Sequence, residues 1–174
     1  ILTPLFFDAS RDIGRYGLFA GMYNPGILGG LAHWNSPNFH VVYPLYFNWL
    51  GSDATVFDTY ARLKAVAILH LAIYGAGCLL LARLLGTRAW IAVATGIAMP
   101  FLPAVQSLLT WTAILASFAW LPWVFYFQGR IHTGERAPAA AMGLAASALM
   151  LLYAQPAQNL VVAPRFIHVH TPAA

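Results

Sequence analysis

Residues 65–85 read AVAILHLAIYGAGCLLLARLL, with no Asp, Glu, Lys or Arg before Arg83. As a helix at 1.5 Å per residue this run would be about 31 Å long, close to the thickness of a bilayer's hydrocarbon core. Arg62 and Lys64 stand at one end, Arg83 and Arg88 at the other. Cations at both ends of an uninterrupted apolar run predict a membrane-crossing helix.

The rest of the chain agrees. Of its 174 residues, 60% are hydrophobic and only 8% are charged, against about 25% charged in a soluble domain. Mean hydropathy is +0.68. Such a chain cannot cover itself with polar surface, so lipid is expected to act as its solvent. The net charge is +4, but the nine Lys and Arg mostly sit at the ends of apolar runs. That pattern indicates topology and contact with lipid headgroups, and argues against a nucleic-acid partner. Cys78 is the single cysteine, which excludes an intrachain disulfide and a cysteine-based metal site.

Three more spans follow: 89–104, which ends in Pro100 and Pro103; 108–127, with Trp111, Trp120, Trp123 and Tyr126 as interfacial anchors; and 137–154. In the last, Ala139, Gly143 and Ser147 recur every fourth residue, a small-residue face for close helix packing. The expected fold is all-α: a polytopic transmembrane bundle over 61–155 with about four spans, an irregular tail over 156–174, and a Gly/Pro/aromatic-rich region over 1–60. Residues 1–7 resemble the end of a helix begun upstream. The connections 86–88 and 128–136 fall on one side and, with Arg83, Arg88, Arg130 and Arg136, mark it as cytoplasmic. Region 1–60, Gln106 and Gln155 then face outward. There 41–50 (VVYPLYFNWL) is too short to span and predicts an interfacial or re-entrant helix.

Within 1–60, residues 23–47 are dense in turn formers: Asn24-Pro25-Gly26, Gly29-Gly30, Ser36-Pro37-Asn38 and Tyr43-Pro44. Aromatics lie between them, as in a loop that folds back on the membrane surface and walls a site. An acidic residue followed by Tyr23-Asn24-Pro25, Gly29-Gly30 and Tyr43-Pro44 resembles the first outer loop of bacterial YfhO-like proteins. These are polytopic glycosyltransferases of the GT-C group. Ala119-Trp120-Leu121-Pro122 and Ala154-Gln155-Pro156-Ala157-Gln158 resemble that family's later pattern. The likeness covers the N-terminal part of a family member, with a shorter interval between Asp12 and Asn24.

The resemblance implies sugar transfer from a polyprenyl-phosphate carrier at the outer face of the bacterial cytoplasmic membrane. Asp8 and Asp12 match the family's acidic position, as general base or as holder of a divalent cation. Arg11 and Arg15 lie near enough in sequence to pair with phosphate. Asn24, Gly29, Gly30, Tyr43 and Gln155 are the expected substrate-binding residues. Alternatively, Asp8, Asp12, Arg11 and Arg15 form a solvated charge cluster and the glycines only build turns. The other function open to the chain is that of a non-catalytic subunit of a larger membrane complex, of respiratory or photosynthetic type. His70 is the one histidine well inside a span, read as a structural hydrogen bond or as a haem or pigment ligand. His168 and His170 form a short His-x-His tail motif.

Overall fold

The computed structural model describes residues 23–24, 31–32, 45, 55–134 and 137–154. The long helices are α1 (Val56–Leu84), α2 (Ala89–Ala98), α4 (Thr112–His132) and α5 (Ala137–Ala154), with a short α3 (Pro103–Ser107) between α2 and α4. Tyr23–Asn24 pairs antiparallel with Leu31–Ala32, the only strands among the described residues.

Helix α1 starts well before its apolar run. Thr55 accepts from the Asp58 backbone N–H at 3.2 Å, and the Asp58 carboxylate accepts from the Thr55 N–H at 2.9 Å. This reciprocal capping box satisfies two otherwise orphaned donors. The Thr55 hydroxyl and N–H also hold the Asp58 carboxyl below its ordinary value of 3.8. A depressed carboxyl stabilises the fold above its unfolded pKa, and that support is lost as pH falls through the folded value. The first turn of α1 is therefore expected to fray on acidification below about pH 4. Thr55→Ala should raise the Asp58 pKa and speed amide exchange at Asp58. An unchanged titration would show that the cap does not hold the carboxylate.

Helix α1 ends in a Schellman turn. Thr87 N–H reaches the Ala82 carbonyl at 3.2 Å, Gly86 N–H reaches Arg83 at 3.0 Å, and Gly86 takes φ +82°. The chain reverses there into α2, which stops at Ala98 instead of running to 104. Pro100 and Pro103 lack the N–H that a continuing helix needs. The path continues as 3-10 turns at Met99–Phe101 and Leu108–Thr110 with α3 between them. The Gln106 side chain donates to the Pro100 carbonyl at 2.7 Å, serving an acceptor at the break.

Two helical stretches, Phe57–Leu84 and Ala89–Thr110, are long and apolar enough to cross a membrane; Pro138–Ala154 is apolar but shorter. The expected third span also shifts: its helix begins at Thr112 and continues past residue 127 to His132.

Helix α1 packs against α2 and α4, and α4 against α5, so the order across the layer is α2–α1–α4–α5. Helices α1 and α4 run parallel. Val66 clusters with Ala116 at one end, and at the other Leu84 lies against Gly129. Between these levels the Trp123 indole N–H donates to the Ile73 carbonyl at 2.8 Å. Gly77 makes room for it: a β-carbon there would stand 2.8 Å from the indole nitrogen. Trp123 is thus an interhelical lock and not the interfacial anchor that its position near a span end suggested. Trp123→Phe keeps most of the ring but loses the bond, and should lower bundle stability by about 0.5–1.5 kcal/mol. Unfolding in mixed micelles measures this, and an unshifted midpoint would show that the bond contributes nothing.

Against α4, helix α5 buries Ala140, Ser147 and Ala154, a seven-residue interval suited to a shallow helix crossing. Gly143 lies under the Phe127 ring, where any β-carbon would collide. The small-residue face therefore keeps Gly143 and Ser147. Ala139 is exposed, and Ala140 takes its place, because the buried stripe follows a heptad interval and not a strict four-residue one.

Candidate functional site

Two apolar clusters fill the layer, and the first of them marks one of its ends. One joins Leu63 and Val66 of α1, Ala116 of α4 and Ala154 of α5. The N-terminal ends of α1 and α4 and the C-terminal end of α5 therefore meet. Leu45, from the region before α1, packs against this same cluster. The second cluster lies along the α1–α4 seam, where Ala67, Tyr74 and Cys78 meet Leu115, Ala119 and Val105.

Most of the expected site residues lie outside the described part of the chain: Asp8, Asp12, Arg11, Arg15, Gly29, Gly30, Tyr43 and Gln155. So does 41–50 apart from Leu45. Asn24 is described in its backbone, paired with Leu31, so residues 25–30 link two paired strands. Two of the candidates adjoin the first cluster in sequence. Tyr43 comes two residues before Leu45, and Gln155 directly follows Ala154.

His70 is fully buried on the α1 stripe that faces α4. Its Nδ1 lies 2.7 Å from the Val66 carbonyl. A carbonyl can only accept, so Nδ1–H donates and the neutral ring carries its lone pair on Nε2. Ala67 and Tyr74, on either side of it along the stripe, pack in one cluster with Leu115 and Ala119. The bond to Val66 is a hydrogen bond within α1 that fixes the ring's orientation. Among the described residues no three His, Cys, Asp or Glu side chains gather as a metal site would require.

The opposite end is basic. Arg83 and Arg88 flank the α1–α2 turn, and Arg130 and His132 lie in the last turn of α4. Arg83 donates to the Thr87 carbonyl at 2.9 Å, and Arg130 to the Tyr126 hydroxyl at 3.1 Å.

Sequence reasoning missed three polar contacts: the indole on Ile73, Gln106 on Pro100, and the capping box. Only the last carried a local signal, Thr55-x-x-Asp58 just before an apolar run. Gln106, which the order of the spans puts toward the outer face, bonds back to the Pro100 carbonyl. No family model, curated protein or solved structure matches this chain.

Proposed function

We propose that this chain is a multi-pass protein of the bacterial cytoplasmic membrane that crosses it four times and belongs to the GT-C kind of sugar transferase. Its substrate is a sugar carried on polyprenyl phosphate, used at the outer face. Asp8 or Asp12 deprotonates the acceptor hydroxyl or holds a divalent cation, and Arg11 and Arg15 face the carrier phosphate. Asn24, Gly29, Gly30, Tyr43 and Gln155 line the substrate site.

One observation supports this reading above the others. Leu45 and Ala154 share a cluster at the end of the layer opposite the arginines. Leu45 stands two residues after Tyr43 and Ala154 directly before Gln155, so near neighbours of two candidates that lie far apart in sequence share that end. The positive-inside rule makes that end the outer one. The test is sugar transfer in membranes by Asp8→Asn and Asp12→Asn; unchanged transfer in both removes the catalytic reading.

A second reading, a non-catalytic subunit of a larger membrane complex, draws on the open layer. Helices α2 and α5 lie at the edges of the layer and pack mainly on α1 and α4 respectively. Trp90, Ile97 and Phe101 on one edge, and Met142 and Leu149 on the other, are exposed. Purification in mild detergent separates the two, since a chain that runs alone cannot be such a subunit.

A further inference from the structure

The sharpest charge asymmetry lies at the Arg83–Arg88–Arg130 end. Leu84 and Gly129 are in close contact: a β-carbon on Gly129 would stand 2.5 Å from Leu84 Cδ2. Arg83 precedes the first residue of that contact and Arg130 follows the second, so two cations from different helices flank one point. Arg88 comes from a third element, at the start of α2, and leaves the N-terminus of that helix without a side-chain cap. The turn that carries Arg88 is fixed by its Schellman bonds and by the Thr87 hydroxyl on Ala82 at 2.8 Å. Both Arg83 and Arg88 are exposed, as is His132. Trp90, the second residue of α2, is 68% exposed. An indole beside arginines is the pairing found at headgroup depth, where one part of the side chain is in apolar surroundings and the other is wet. Among the described residues the only acidic side chain is Asp58, at the far end of α1.

We infer that this end of the layer selectively retains an anionic phospholipid, whose headgroup phosphate lies across the tips of α1, α2 and α4. The inference rests on the membrane reading above. Guanidinium groups match phosphate oxygens in geometry as well as in charge. The rigid turn and the Leu84–Gly129 contact hold the groups in place before the lipid arrives. The bound headgroup in turn bridges the tips of three helices.

The experiment uses the full chain in micelles with equal phosphatidylglycerol and phosphatidylcholine, with retained lipid counted by native mass spectrometry. Phosphatidylglycerol should be retained over phosphatidylcholine. Replacing Arg83 and Arg130 together by Gln should lower that preference by about fivefold per charge, as expected for a basic residue near an anionic surface. Replacing Arg62 and Lys64 by Gln removes the same charge at the opposite end and should leave the preference largely intact. Equal losses in the two double variants, or no preference in the parent, would overturn the inference. Inorganic phosphate at millimolar concentration should not compete; if it does, the site takes free phosphate and not lipid. Carbonate extraction keeps the two readings apart. A chain washed off membranes refutes the membrane reading, whereas one that stays but shows no lipid preference refutes only this inference.

Discussion

Replacing Asp8 or Asp12 by Asn is expected to lower sugar transfer by about 10²–10⁴-fold at one of the two positions, with membrane insertion unchanged. Asn is nearly isosteric with Asp but can neither take a proton from an acceptor hydroxyl nor carry the charge that holds a divalent cation. The two roles differ in what else moves. Loss of a base lowers turnover across the pH range in which the parent works, and added cation does not restore it. Loss of a cation ligand shifts the metal concentration needed, and excess cation restores part of the rate. Arg11→Gln and Arg15→Gln should act differently again, weakening the use of the lipid-linked donor more than turnover, because a phosphate contact is made in the ground state as well as in the transition state. If the four residues are only a solvated charge cluster, all four variants transfer sugar at the parent rate.

The helices were legible in the sequence because long apolar runs bounded by cations and prolines follow a coarse rule. The apolar run 65–85 and the run 137–154 both appear as helices, the second with the same limits. Their ends were less legible where polar caps decide them. Val56 starts α1 because Thr55 and Asp58 cap each other, and neither residue is apolar. The break after Ala98 was marked by Pro100 and Pro103, but its depth was not. Pro100 comes to lie beside Gly75, near the middle of the α1 apolar run, because the two helices cross at a pair of glycines. Which residues meet across helices depends on rotation about each axis, and composition carries little of that information. Ala139 and Ala140 are equally small, yet one is exposed and the other buried. For the candidate site, counting spans puts Tyr43 and Gln155 on one side, and their described neighbours Leu45 and Ala154 share one cluster. The convergence of Asp8, Asp12 and Asn24 depends on a loop whose Gly and Pro residues permit many paths.

Gly75→Val should separate α1 from α2 and destabilise the layer by about 3 kcal/mol or more, beyond the usual cost of overpacking. A β-carbon on Gly75 would stand 2.5 Å from the Gly96 carbonyl oxygen, and one on Gly96 would stand 2.8 Å from the Gly75 carbonyl oxygen. Both obstacles are backbone atoms, so no rotamer change relieves the clash and the helix axes themselves must move apart. Apolar packing supplies much of the association of helices in lipid, and it falls off quickly with distance. Gly96→Val should therefore cost a similar amount. The two substitutions together should cost less than their sum, since one separation relieves both clashes. Gly129→Ala is the control. Its β-carbon would meet only the end of the Leu84 side chain, which can rotate away, so the cost should stay near 1 kcal/mol. Denaturant titration in mixed micelles, followed by Trp fluorescence, ranks the three. An equal midpoint for Gly75→Val and Gly129→Ala would mean that the α1–α2 crossing is not backbone-limited. The α2 edge would then be free to shift on α1, with only the α1–α2 turn holding its first residues in place.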